Sequence, residues 1–371
     1  MTQTQEHAPT TRAAVWGAAF AVFGDERSVV LPNPEIRTES LEAAQRRALA
    51  VETGEVLGVL IPFEKGAPVT TYLGRPSTAP DTEAVEQPGS FDATALSPDI
   101  RFNERETARY MLALEQARHT FDTEPELAKV VLSRSERYTW EGMPPHRLLL
   151  SRVHALYPGA YRYHATTKDE DSTVAAGATP ELFLSKRGNT VRLQPLAGTV
   201  PGALTRAEAE DQLRTPKYLE EHGLLVDFMR SRLHTIATEV SVAIEPSIVS
   251  ANNVWHLGTP IRAEVPESVS IATLVGLLHP SPAVCGVDQD QASAFISEVE
   301  PTRGYYGGLI GWLTPDGDGD LYVALRGLEI DDDQHSVTLR AGGGITAASD
   351  PTTEFAETSD KLDAMRRVVG A

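Results

Sequence analysis

The sequence has a single cysteine, Cys285, in 371 residues. No intrachain disulfide can form, which fits a reducing compartment. Basic residues are also scarce: 33 Lys and Arg stand against 52 Asp and Glu, for a formal net charge of −19. They form no cluster of the kind a phosphate-binding surface needs, so neither nucleic acid nor an anionic membrane is expected as a partner. Long apolar runs are missing too, none approaching the roughly 18 residues of a membrane span. The one stretch that imitates a leader, RAAVWGAAFAVFGDERS from Arg12, has no lysine-rich start and alternates like a buried strand. A cytoplasmic protein is expected. Apolar residues, at 41%, suffice for a sizeable core in one large or two ordinary domains.

What is present reads as strands with helices between them. From Ala13 to about Arg75, short apolar runs such as RSVVLP and EVLGVLIPFE alternate with turns, which predicts an N-terminal strand-rich part over residues 1–100. Residues 76–98, rich in Pro, Ser, Thr and acid, predict a long surface excursion. A helical pattern follows from Asn103 to Ala128, then KVVLSR, a helix around PPHRLLLSRVHAL, and the runs ELFLSK and TVRLQP, with RGN between them as a hairpin turn. RAEAEDQLR and PKYLEEHGLLVDFMRSRLHTIATEV predict two helices split at Pro216, with Thr215 as the cap. The C-terminal third is strands and turns, interrupted by helices at SIATLVGLL and QASAFISEV and closed by one from Pro351 to Val368. Sequential hairpins with interspersed helices predict an α+β fold with mainly antiparallel sheets.

Three motifs imitate familiar sites. Gly342, Gly344 and Ala347 have dinucleotide-fingerprint spacing, but the chain ends at Ala371, before a second parallel strand and its acidic residue could follow. DGDGDL from Asp316 resembles a calcium loop, yet Leu321 and Gly327 replace the required glycine and glutamate, so a hairpin turn is expected. Cys285 reads as a small packed residue.

The acidic positions carry more. Asp350 before Pro351 starts a helix that places Glu354, Glu357 and Lys361 on one face. That face is either a solvated acidic stripe with a Glu357–Lys361 pair or part of a metal site. Glu221 shares a helical stripe with Leu225 and Phe228, on the side expected to be buried, where an unpaired carboxylate costs several kcal/mol, of order 2–7. Carboxylates from two helices, without a His/Cys cluster, suit Mg²⁺. Lys129, opening KVVLSR, and Glu181, opening an apolar strand in GATPELFL, form a candidate base and acid; ordinary strand-end charges are the alternative.

In order along the chain, KVVLSR, GATPELFL, PLAGT, KYLEEH, VWHLGTPI, LLHPSPAVCG, RGYYGGLIGW, VALRG and AGGGI…SDPTTEFAETSDK resemble the chorismate-utilising family. That family includes isochorismate, salicylate, anthranilate and aminodeoxychorismate synthases. The likeness covers residues 105–368. It implies a single domain over 1–371, built of two antiparallel sheets packed face to face with helices outside, and Mg²⁺ as cofactor. It implies Lys129 as the base that activates water for attack at C2 of chorismate, and Glu181 as the acid that protonates the departing C4 hydroxyl. Glu221 and Glu357 resemble the direct metal ligands, with Glu354 nearby through water. Lys361 and the backbone of Gly198 and Thr199 resemble the ring-carboxylate site, and Tyr306 and Arg326 the grip on the enolpyruvyl carboxylate. The backbone of Gly342 and Gly344 is expected to approach the anionic substrate closely, and His256 and Ala283 complete the substrate-binding set.

Ala197 in PLAGT stands where the aminodeoxychorismate enzymes present a lysine, and HPSPAVCG resembles the isochorismate synthases. Lys129 argues against the anthranilate branch, so no glutaminase subunit is expected. The resemblance therefore implies an isochorismate synthase, expected as a monomer. Salicylate synthases tend to show threonine at the position of Ala283; that branch, which goes on to eliminate pyruvate, and a non-catalytic chorismate- or metal-binding homologue are the alternatives. No motif decides whether the product serves siderophore, menaquinone or salicylate synthesis. Departures from the family pattern include Tyr218 where an aspartate is frequent and Gly343 for a usual alanine.

Overall fold

A computed structural model describes residues 18–24, 27–77, 99–101, 104–140, 146–166, 173–251, 254–331 and 335–371. Nearly all of the expected excursion, residues 78–98, and the extreme N-terminus fall outside them.

Two nine-stranded sheets form from residues that alternate apolar and polar or are apolar throughout. In the first, the order runs Gly286–Val287, Lys129–Thr139, Ser336–Ile345, Gly327–Asp331, Thr173–Thr179, Tyr161–Thr166, Phe20–Phe23, Ser28–Leu31, with Asp99–Arg101 also beside the Lys129 strand. In the second it runs Glu239–Val242, Ile261–Glu264, Thr190–Leu193, Leu182–Arg187, Gly319–Val323, Leu309–Leu313, Val56–Ile61, Val69–Gly74, Glu35–Glu39. Neighbouring strands are antiparallel throughout, as the succession of hairpins predicts. The two large antiparallel sheets are those expected, and a small third sheet of Leu196–Pro201, Val254–Gly258 and Ser247–Ala251 adds to them. The N-terminal strands enter both large sheets: Phe20–Phe23 pairs with Tyr161–Thr166, and Val56–Ile61 with Leu309–Leu313.

The main core reaches from Ala44 to Ile345, with Val130 and Leu132 from the first sheet and Leu184, Leu309 and Leu321 from the second. Burial of such side chains contributes about 1.5–3 kcal/mol each. The RGN turn forms as read, with Gly188 at φ +55 between Leu182–Arg187 and Thr190–Leu193. The first half of DGDGDL, Asp316–Asp318, likewise lies in the turn between Leu309–Leu313 and Gly319–Val323, and its second half opens the latter strand.

Two helix starts differ in detail. Asp350 caps Pro351–Val369 by accepting the Thr353 N–H. Thr215 occupies the cap position of Pro216–His234, yet its hydroxyl donates to the Gln212 carbonyl at 2.8 Å and caps nothing. One helix was hidden in the N-terminal strand reading: Leu41–Leu49, started by Ser40 accepting the Ala43 N–H and built from strong helix formers.

Candidate active site

The chain crosses between the two large sheets at Pro180–Glu181, and again at Ala324–Arg326, where LYVALRGLEI breaks into two strands and Arg326 takes φ +48. Beside these crossings the Gly327–Asp331 strand leaves the Ser336–Ile345 strand after the Leu328–Leu339 pair, so from Arg340 onward the latter is paired only to the Lys129 strand. A cavity opens there.

Lys129, Glu181, Gly198, Thr199, Glu221 and His256 line this cavity, as do Ala283, Tyr306, Arg326, Gly342, Gly344 and Lys361. Residues expected to act together from nine separate motifs are thus brought to one cavity. Glu354 and Glu357 are not on it; they stand behind Lys361 on the Pro351–Val369 helix.

Lys129 is only 2% exposed and donates to Glu221 Oε1 at 2.9 Å. Burial works to raise the Glu221 pKa, but the ammonium of Lys129, with Lys361 and Lys217 farther off, outweighs it and holds the carboxyl below its usual range. Gly344 makes room for this pair: a Cβ there would lie 2.6 Å from Lys129 Cε and 2.8 Å from Glu221 Oε1. None of the three consecutive glycines has positive φ, so close approach and not turn geometry is what requires Gly344. The groups approaching it are the chain's own lysine and glutamate, an addition to the ligand approach expected from sequence.

Glu181 sits among apolar walls, 5% exposed, and burial pushes its pKa up to about 8 against the Leu196 N–H and the Lys129 charge. It is mostly protonated at pH 7 and can donate a proton. Gly198, at φ +69, forms the bulge in Leu196–Pro201, and its carbonyl faces His256 Nδ1 at 2.8 Å. Burial, reinforced by the Arg326 charge, lowers the His256 pKa to about 3, so the ring is neutral. Because a carbonyl only accepts, Nδ1 carries the proton and Nε2 is left as an acceptor.

The carboxylates and lysines are matched. Lys129 pairs with Glu221, Lys361 Nζ donates to Glu357 Oε1 at 2.6 Å and to the Gly342 carbonyl at 2.9 Å, and Lys217 lies 4.0 Å from Glu354. Among the described residues no three His, Cys, Asp or Glu side chains converge on one metal position by themselves. Mg²⁺ usually takes one or two carboxylates and fills its shell with water and substrate, so the donor set still suits it. An orphan supports that fit: Glu354 Oε2 is buried without a hydrogen-bond partner among the described residues, and burial together with the Glu357 charge raises its pKa. Tyr218 stands among Glu357, Glu221 and Glu354; burial and then these charges raise its hydroxyl pKa.

Sequence reasoning missed a buried support under the cavity. Glu300 and Arg303 form a two-bond ion pair, 2.9 Å on each side, both side chains under 3% exposed. Arg303 also donates to the carbonyls of Val284 and Val131, and Glu300 accepts from the amide and hydroxyl of Ser133. Arg340 was missed too, since a lone arginine at a polar strand position reads as solvent-facing. Cys285 is buried, and burial pushes its thiol up to about 12, as a packed residue requires.

A family model described as chorismate binding enzyme matches residues 77–370. Isochorismate synthase EntC of Escherichia coli K12 is 31% identical over 370 residues, 97% of this chain and 93% of that protein. The crystal structure of DhbC from Bacillus anthracis superposes with a TM-score of 0.82 at 25% identity, covering 96% of this chain and 97% of that one. MenF, the menaquinone-specific isochorismate synthase from Escherichia coli, shares the fold, with a TM-score of 0.78 at 21% identity over 98% and 92% of the two chains.

Proposed function

Because the chain belongs to the chorismate-binding enzyme family, we propose that it is an isochorismate synthase, folded as one catalytic unit over 1–371. The observation that carries this reading is a carboxylic acid kept protonated, Glu181, in the same cavity as a buried lysine, Lys129. Addition of water at C2 of chorismate with loss of the C4 hydroxyl needs one proton taken and one given. Lys129 is the group placed to take the proton of the attacking water. Glu181 gives its proton to the C4 oxygen, which leaves as water while the ring double bonds shift. Water enters and water leaves, so the step is an isomerisation with no redox partner.

Glu221 and Glu357 would hold Mg²⁺, with Glu354 through water, and the ion when bound would neutralise and orient the ring carboxylate. Lys361 and the Gly198–Thr199 backbone act on the same carboxylate, and Arg326 and Tyr306 on the enolpyruvyl carboxylate. Two bound anionic groups in a chain of net charge −19 require these local cations.

The test is incubation of the purified protein with chorismate, with and without Mg²⁺, and chromatography of the products. Metal-dependent isochorismate without pyruvate is expected. Salicylate with pyruvate would move the chain to the salicylate synthase branch, and binding without turnover would make it a non-catalytic homologue.

A further inference from the structure

Arg340 lies two residues before Gly342 and, with Tyr306, lines both the main cavity and an adjoining one. Its side chain is 14% exposed, and its nearest carboxylate among the described residues is Glu300, at 3.9 Å. That carboxylate is already taken. Glu300 Oε1 accepts from Ser133 N at 2.6 Å and Arg303 Nη2 at 2.9 Å, and Oε2 from Ser133 Oγ at 2.7 Å and Arg303 Nε at 2.9 Å.

Within the described residues, the one hydrogen bond of Arg340 runs from Nη1 to Ser133 Oγ at 3.5 Å, the outer limit for such a bond. The buried Glu329 carboxylate in the adjoining cavity shares the Arg340 charge without a hydrogen bond to it, and a guanidinium offers five donors, so most of them are left for a ligand to satisfy. The charge is aimed at a specific place. Arg340 stands 6.0 Å from the Tyr306 ring, Tyr306 lines the cavity with Arg326, and a Cβ on Gly342 would come 3.0 Å from the Tyr306 hydroxyl. Arg326, Arg340 and Tyr306 thus all line the cavity, and both arginine charges act on the Tyr306 phenol.

We propose that Arg340 joins Arg326 and Tyr306 in gripping the enolpyruvyl carboxylate, and so sets the preference for a two-carboxylate substrate over ring acids with a single carboxylate. The inference rests on the reading of the cavity as a chorismate site. Its guanidinium fork suits a carboxylate held by two donors, which an ammonium cannot imitate.

The experiment compares KM and kcat for chorismate with the inhibition constant of 4-hydroxybenzoate, which has the ring carboxylate alone, in the Mg²⁺-loaded wild type, Arg340→Gln and Arg340→Lys. Arg340→Gln should raise the chorismate KM roughly 10- to 100-fold, the loss expected for a charged hydrogen bond. The 4-hydroxybenzoate constant should stay unchanged, and Arg340→Lys should recover part of the KM. An unchanged KM overturns the proposal. Equal weakening of both ligands with a lowered Tm also overturns it, assigning Arg340 to the support of Ser133 and Glu300. A wild type that neither turns over nor binds chorismate fails the functional reading itself, a result distinct from either of these.

Discussion

Gly344→Ala tests whether the Lys129–Glu221 pair is the reacting centre. The added methyl would lie 2.6 Å from Lys129 Cε, 2.8 Å from Glu221 Oε1 and 3.1 Å from Lys129 Nζ. Ordinary carbon contacts lie near 3.5–4.0 Å, so the lysine must retreat by about 1 Å. With its strand fixed between Ser336–Ile345 and Gly286–Val287, its side chain can yield only into the cavity it lines, away from its place beside Glu221. A displacement of about 1 Å at a catalytic group costs on the order of 100-fold in rate, and overpacking costs about 1–3 kcal/mol of stability. Gly343→Ala is the internal control. Its methyl meets Glu354 Oε2 at 3.2 Å and nothing else closer than 3.8 Å, so a shift of a few tenths of an ångström accommodates it. Chorismate turnover measured by chromatography, with thermal melts on the same samples, should show Gly344→Ala about 100-fold slower and Gly343→Ala within about threefold of wild type. Wild-type turnover and melting in Gly344→Ala would refute the reasoning, because the pair would then not be where the chemistry depends on it.

Glu181→Gln should abolish turnover. Because the folded carboxyl titrates near 8, above its unfolded value, it stabilises relative to a fixed charge only while protonated, and stability is lost as pH rises from about 4.5 to 8. The amide removes that loss, so the variant should melt higher than wild type at pH 9. His222, His256 and His279 behave in the opposite sense. Burial holds them at about 4, 3 and 4, so the fold keeps them neutral and loses stability as pH falls below 6.5; melts at pH 7 and 5 should show it, and coincident curves would count against it. Cys285, buried and raised to about 12, should react with a thiol reagent at pH 8 only after denaturation.

Where local pattern decides, the sequence was a sufficient guide. The RGN turn, the Asp350 start and the Glu354–Glu357–Lys361 face all follow from neighbours within one or two turns, and the structure carries each. The Leu41–Leu49 helix was also local and was missed because the strands around it set the expectation. Thr215 sits where a cap belongs, but a competing carbonyl one turn back holds its hydroxyl. The third sheet depends on pairing Leu196–Pro201 with Val254–Gly258 across some 55 residues, a choice that periodicity cannot make. The cavity residues were legible through motif order, whereas Arg340, Lys217 and the Glu300–Arg303 pair acquire meaning only from what the fold brings to them. Ser133 and Glu300, for instance, are 167 residues apart.

The turn that carries Glu300 and Arg303 has a hereditary consequence. Through it, Val131 and Ser133, Val284, and Glu64, which accepts the Arg303 N–H, are tied to one point. Exchange of either member alone strands a buried charge, at a cost of about 3–5 kcal/mol, a large part of what a domain possesses. Drift at these two positions is therefore a joint event: a lineage either keeps both or replaces both, and the walls of the cavity inherit their spacing from that choice.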